Sequence, residues 1–124
     1  MPNNCSSSWI VDTGASDHIA YDHTLFSSTT TLHKPTYVIL PDSRIKFVTK
    51  IGQIPLQSNL VLQNVLYVPK FKFNFLSIGK LLSDQPIFTT IYPHKCVFQD
   101  LITEKVVVVA LFDGGLYRLS SLSP

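Results

Sequence analysis

Trp9-Ile10-Val11-Asp12-Thr13-Gly14-Ala15-Ser16 is the stretch around which the chain is organised. Three apolar residues run into an acid, a hydroxyl residue and a glycine. A short apolar run bounded by turn residues reads as a buried strand. An acid at the end of such a strand is costly to bury unless it is paired, hydrogen-bonded or protonated. The glycine permits a tight turn and close approach of another backbone. The expectation is a strand that carries the Asp12 carboxylate into a confined place and holds it there.

Working outward, Val, Ile, Thr, Phe and Tyr recur in short runs punctuated by Pro, Gly, Asn, Asp and Ser, the pattern of an all-β chain. Residues 16–21 continue past the turn and end at Asp22. Residues 26–31, rich in Ser and Thr, read as a loop. Residues 37–40 form a strand and Pro41-Asp42-Ser43 a turn, because Pro presets φ while Asp and Ser bond nearby backbone. Ile45, Phe47, Ile51 and Ile54 then alternate with polar residues through a phase slip, which predicts a bulge at Gly52. The two runs make a hairpin with its tip near Pro41 to Arg44. Residues 60–68 are apolar and end at Pro69. Phe71, Phe73 and Phe75 alternate with Lys72 and Asn74, which predicts a strand with a buried aromatic face; a stacking platform for single-stranded nucleic acid is the rival reading. One short helix is expected near residues 77–83, capped by Ser77, with Ile78, Leu81 and Leu82 on one face and a stop at residues 84–86. Residues 86–92 and 95–99 make a hairpin about Pro93-His94. Residues 104–112 are the most apolar strand, and Asp113-Gly114-Gly115 turns it into a last strand at 116–119.

A length of 124 residues suggests one domain with a modest core. With 45% hydrophobic and 15% charged residues the chain does not read as disordered, and some apolar surface is expected between chains. A net charge of +2 is too small to argue for direct nucleic-acid binding; Lys70, Lys72 and Lys80 read as a solvated face. Cys5 lies in a polar segment and Cys96 in an apolar run, with no disulfide framework, which suits a reducing compartment. No apolar run approaches the length that spans a bilayer, so no membrane partner is expected. Residues 1–8 lack the apolar core of a secretory signal and read as a flexible segment; residues 120–124 read as a polar end. His18, His23, His33 and His94 are not at metal-ligand spacing and no Cys-x-x-Cys is present, so no metal or cofactor is expected. Ser16 with His18 as a base is set aside, because residues two apart on a strand lie about 7 Å apart at Cα and no nucleophile elbow is present.

Asp12-Thr13-Gly14 followed by Ala15 resembles the signature loop of aspartic proteases. Trp9-Ile10-Val11-Asp12-Thr13-Gly14-Ala15-Ser16-Asp17-His18 is similar to the protease start of copia-type retrotransposon polyproteins. Asn64-Val65-Leu66-Tyr67-Val68-Pro69 resembles their second signature, and Asn74-Phe75-Leu76-Ser77-Ile78-Gly79-Lys80-Leu81 their third. Gly115-Leu116-Tyr117-Arg118-Leu119 resembles the segment leading toward their pre-integrase region. The resemblance implies a retropepsin-like closed β-barrel over residues 9–119, with a flap hairpin and a two-fold homodimer. It implies an aspartic endopeptidase that processes its own Gag-Pol polyprotein in the cytoplasm, within virus-like particles.

By the same resemblance Asp12 is the catalytic acid. Thr13 supports the loop through its hydroxyl, Gly14 lets backbone amides face the carboxylate, and Ala15 leaves room for a polypeptide substrate. Leu40, Pro41, Asp42 and Ser43 belong to the flap, and Phe75 and Leu76 wall the substrate pocket. Ser77 stands where retroviral enzymes have a glycine. His18 matches the motif and is expected to brace the loop by a hydrogen bond. Acid-catalysed peptide hydrolysis needs two carboxylates sharing a proton, one acting as base toward water and one as acid toward the carbonyl. The chain has one Asp-Thr-Gly, and a two-fold dimer supplies the second. Asp113-Gly114-Gly115 also follows an apolar strand but lacks the hydroxyl residue, and reads as a turn. The alternative function is a catalytically dormant or domesticated module that keeps the fold, binds and dimerises without cutting.

Overall fold

The computed structural model describes residues 9–39, 43–57 and 60–120. Ten strands and one helix follow one another as β1 (Trp9–Asp12), β2 (Ile19–Ala20), β3 (Ser28–Ile39), β4 (Ile45–Gln57), β5 (Leu60–Tyr67), β6 (Asn74–Ser77), α1 (Ile78–Asp84), β7 (Ile87–Ile91), β8 (Lys95–Asp100), β9 (Val106–Asp113) and β10 (Leu116–Leu119). All ten belong to one sheet in the order β3-β4-β5-β2-β6-β1-β10-β9-β8-β7. The first strand is therefore interior. It runs parallel to β6, with Val11 opposite Leu76 and Asp12 opposite Ser77, and antiparallel to β10, with Val11 opposite Tyr117.

The strand period sorts β1 onto two faces. Trp9 and Val11 enter the main core with Leu62, Val65, Leu76, Leu81, Phe98 and Val108. Ile10, also buried, points the other way. A second cluster of Val48, Leu66, Val68 and Phe71, with Ile19, Val38, Ile51 and Phe75 against it, fills the opposite side of the β4–β5 layer. Strand β5 feeds both clusters because its two faces are both covered. The helix is short. Ser77 caps it by accepting from the Lys80 N–H at 3.1 Å, and Ile78 and Leu81 bury its inner face.

Several expectations hold: the hairpin of β3 and β4, the Ser77-capped helix, the β7–β8 hairpin and the β9–β10 turn through Gly114 and Gly115, both at positive φ. Others need correction. Residues 28–31 are not a loop but the start of a 12-residue strand, because β-branched threonines suit a pleated surface better than their polarity suggests. Phe71 and Phe73 precede β6 in a turn where Lys72 takes φ 63, so the aromatic alternation is not a strand. Phe71 is buried, Phe75 half-buried and Phe73 exposed. The sheet is not a closed barrel among the described residues. Closure requires the outer strands to pair, and β3 leaves as a hairpin arm with β4 while β7 ends the other side. Residues 1–8, Leu40, Pro41, Asp42 and residues 121–124 lie outside the described residues.

The bulge expected at Gly52 is present, as a register shift between Gly52 and Ile54 against β5. The glycine is sterically required there. A Cβ at residue 52 would stand 2.0 Å from the Ser28 carbonyl oxygen and 2.9 Å from the Phe26 ring. Gly52→Ala is expected to lower unfolding stability by about 3 kcal/mol, the upper part of the overpacking range, because backbone must shift. Urea unfolding of both proteins checks this through the midpoint.

Candidate active site

Asp12 ends β1, and the chain leaves the sheet at once through Thr13 and Gly14. The carboxylate stays half-exposed where its neighbours on the strand are buried. Its Oδ1 accepts the Gly14 N–H at 2.7 Å, so a backbone amide does face the acid. Gly14 has no positive φ, and a Cβ there would sit 3.5 Å from that same oxygen, in ordinary contact. Packing within one chain therefore does not demand glycine at this position. Thr13 is exposed, and its hydroxyl makes no hydrogen bond among the described residues. The loop is held by other groups.

Those groups come from β6 and the helix it enters. The Ser77 hydroxyl donates to the Ala15 carbonyl at 2.7 Å while accepting from Lys80 N–H at 3.1 Å. The Ser77 N–H donates to His18 Nδ1 at 3.0 Å. His18 is 1% exposed. Because Nδ1 accepts, the proton of the neutral ring sits on Nε2. The expected brace from His18 thus exists and acts on the strand beside the loop. Burial, and secondarily the Lys80 charge, lowers the His18 pKa from 6.5 to about 4. Asn74, fully buried at the start of β6, accepts the Tyr21 N–H at 3.1 Å and ties the end of the loop to the same strand.

Two clefts flank Asp12. One, of about 640 Å³, runs between the loop residues Gly14 to Asp17 and the far end of β3 at Thr36 to Ile39. The other, of about 430 Å³, lies toward β10 and is lined by Ile10, Val11, Thr13, Phe73, Gly115, Leu116 and Tyr117. Asp12, Phe71 and Phe75 line both. Phe75 therefore stands in the expected pocket. Leu76 does not: it is 0% exposed in the main core, on the other face of β6. Ser43, exposed at φ 71, is the described remnant of the expected flap tip. Asp113 lines neither cleft. Sequence reasoning missed Phe71 and Phe73, whose rings meet Phe75 with centroids 5.2 and 6.3 Å away. It also missed Leu116 and Tyr117, for which only the topology of β10 gives a signal.

The His18 brace makes stability depend on pH. The folded pKa lies below the ordinary value, so the unfolded chain takes the proton first as pH falls. Stability from this group is complete above about pH 6.5, declines as pH drops toward 4 and is lost below it. The shift corresponds to a loss of about 3 kcal/mol. His18→Gln keeps an acceptor for the Ser77 N–H and removes the titration. Its unfolding free energy is expected to fall less than that of the wild type between pH 7 and pH 4.5, measured by urea unfolding. Ser77→Ala removes both hydroxyl bonds and is expected to cost about 2 kcal/mol by the same measurement.

Comparison with known proteins assigns this framework to a family. Residues 9–86 match the model of the Pol polyprotein, beta-barrel domain. The chain is 29% identical over 105 residues to the retrovirus-related Pol polyprotein from transposon RE1 of Arabidopsis thaliana, across 79% of this chain. It spans 7% of the length of that relative. No solved structure matches it. No helix among the described residues is long and apolar enough to cross a membrane. With its Asp12 loop, its β6 brace and its helix all inside the matched region, the chain belongs to the Pol polyprotein beta-barrel domain family.

Proposed function

We propose that this chain is a copia-type, retropepsin-like aspartic endopeptidase that cuts a retrotransposon Gag-Pol polyprotein. The observation that carries the reading is the setting of Asp12. It is a half-exposed carboxylate at the end of a buried strand, hydrogen-bonded by the Gly14 N–H and shared by two clefts. A strand end that only needed a turn would not hold an acid between two hollows, one mixed in polarity and one mainly apolar. The relative's description as a retrovirus-related Pol polyprotein supports a polyprotein as the substrate.

One carboxylate is half of an acid–base pair, and the chain offers no second Asp-Thr-Gly. The active form is therefore a two-fold homodimer with Asp12 of each chain at the axis. A water between the two acids loses a proton to the ionised carboxylate as its oxygen adds to the scissile carbonyl carbon. The protonated carboxyl gives its proton to the carbonyl oxygen. As the tetrahedral adduct collapses and the C–N bond breaks, the carboxyl that took the water proton gives it to the amine nitrogen. An adduct hydroxyl returns its proton to the other carboxylate as the carbonyl re-forms. The exposed Thr13 hydroxyl is placed to meet the second copy. The β3–β4 hairpin, whose strands are joined through residues 40–44 of the sequence, is the flap that closes over an extended substrate. The domain occupies residues 9–119 and works in the cytoplasm, in virus-like particles.

The test is cleavage of a polyprotein fragment that carries natural domain junctions. Asp12→Asn is expected to abolish cleavage, by a factor of about 10³ or more, with an unchanged unfolding midpoint. Specific activity of the wild type is expected to rise with protein concentration as dimers form. Cleavage by Asp12→Asn at the wild-type rate overturns the assignment. A folded wild type that dimerises and cuts no junction favours the dormant binding module.

A further inference from the structure

The smaller cleft has a wall that the family match does not contain. The match ends at residue 86, yet β10 lies against β1, the strand that carries Asp12. The register sets Ile10 opposite Arg118 and Val11 opposite Tyr117; carried one residue further it brings Leu116 beside Asp12. Leu116 is then on the same face of the sheet as Asp12 and Ile10, since side chains alternate along each strand. Tyr117 faces the other way, against the main core, where its hydroxyl donates to the Tyr92 carbonyl at 2.8 Å. Opposite Leu116 across the cleft stand Phe73 and Phe75, their rings stacked at an interplanar angle of 13°.

We propose that Leu116, supplied by the β9–β10 turn, is a specificity-determining residue of the Asp12 site, forming with Phe73 and Ile10 a subsite for a large apolar side chain next to the scissile bond. The proposal deepens the peptidase reading and rests on it. The occupant follows from continuity and chemistry. The cleft shares Asp12, Phe71 and Phe75 with the larger hollow. A chain lying across Asp12 must therefore send a side chain into it. Leu116 is 40% exposed and Phe73 48%. Both leave apolar surface toward the cleft, which gains by covering an apolar group. Asp12 is the one charged residue among those lining the cleft, with Arg118 outside the lining but opposite Ile10 on the same face of the sheet. An acidic side chain there would therefore lose hydration beside a like charge. Gly114 and Gly115 form the turn at positive φ, which lets β10 begin immediately at Leu116.

The experiment reads cleavage preference on a mixture of peptides randomised in sequence, with product ends identified by mass spectrometry. The wild-type dimer is expected to cut beside Phe, Leu or Met about 10-fold more often than beside Ala, the size of effect one apolar pocket gives. Leu116→Ala and Phe73→Ala are each expected to shrink that ratio at least 3-fold. Leu116→Arg is expected to raise cuts beside Asp and Glu, by placing a positive charge where the cleft has none. Leu116 is at an exposed strand start, and thermal unfolding of each variant verifies its fold. A folded Leu116→Ala and Leu116→Arg that both keep the wild-type preference overturn the proposal while leaving the peptidase reading intact. Folded Leu116→Ala and Leu116→Arg that are monomeric in analytical ultracentrifugation and have lost cleavage also overturn it, by making the cleft a subunit contact. A wild type that cuts no peptide overturns both.

Discussion

The Ser77 side chain is the junction on which the Asp12 site depends. One hydroxyl serves two bonds: it donates to the Ala15 carbonyl and accepts the Lys80 N–H in the first turn of α1. Its own backbone N–H goes to His18. Loop, strand and helix therefore share one buried residue, 0% exposed. A helix end leaves amides that need partners, and here the partner is the group that also fixes the loop. Movement of the helix would be felt at Ala15 within two bonds. The arrangement also explains why a neutral His18 is kept in a place from which burial drives its charge away. Only the unprotonated Nδ1 can accept.

Around that junction the chain places its acid between two surfaces of different origin. On one side is the β3–β4 arm, whose outward residues Tyr37, Ile39, Ile45 and Phe47 are all more than half exposed. On the other is the meander of β7 to β10, which extends the sheet from β1 and contributes Phe98, Val108 and Ala110 to the same core as Trp9 and Val11. The meander thus has a structural task as well as the chemical one drawn from Leu116. Without β10, one edge of β1 would present unpaired backbone groups next to the Asp12 loop.

Much of this was legible in the residues themselves. The apolar run before Asp12, the Ser77 cap, the glycine-centred bulge and the turns at Pro93-His94 and Gly114-Gly115 are local signals with local causes, and each formed as read. Polarity misled at residues 28–31, where threonine behaved as a β-branched residue first. Alternation misled at Phe71 to Phe75, because three aromatics at period two also suit a turn that gathers them around a hollow. The family resemblance gave Leu76 the same role as Phe75, but neighbours on a strand face opposite ways, and the pairing of β6 between β1 and β2 sends Leu76 to the core and Phe75 to the cleft. The open sheet found in place of the expected closed barrel, and the place of β10 in it, are properties of long-range pairing. No window of sequence contains both β1 and its partner.

That separation has a consequence in time. Ile10 pairs with Arg118, so the two strands are nearly the whole described chain apart. Contacts of such span form late, because the loop they close costs entropy before it returns anything. A chain emerging from the ribosome amino end first has Asp12 exposed to the cell long before β10 exists to flank it. The Asp12 loop can be braced by β6 and α1 midway through synthesis, but its second wall waits for the last strand. The order of synthesis thereby acts as a clock, and half-made chains carry an acid without a finished site around it.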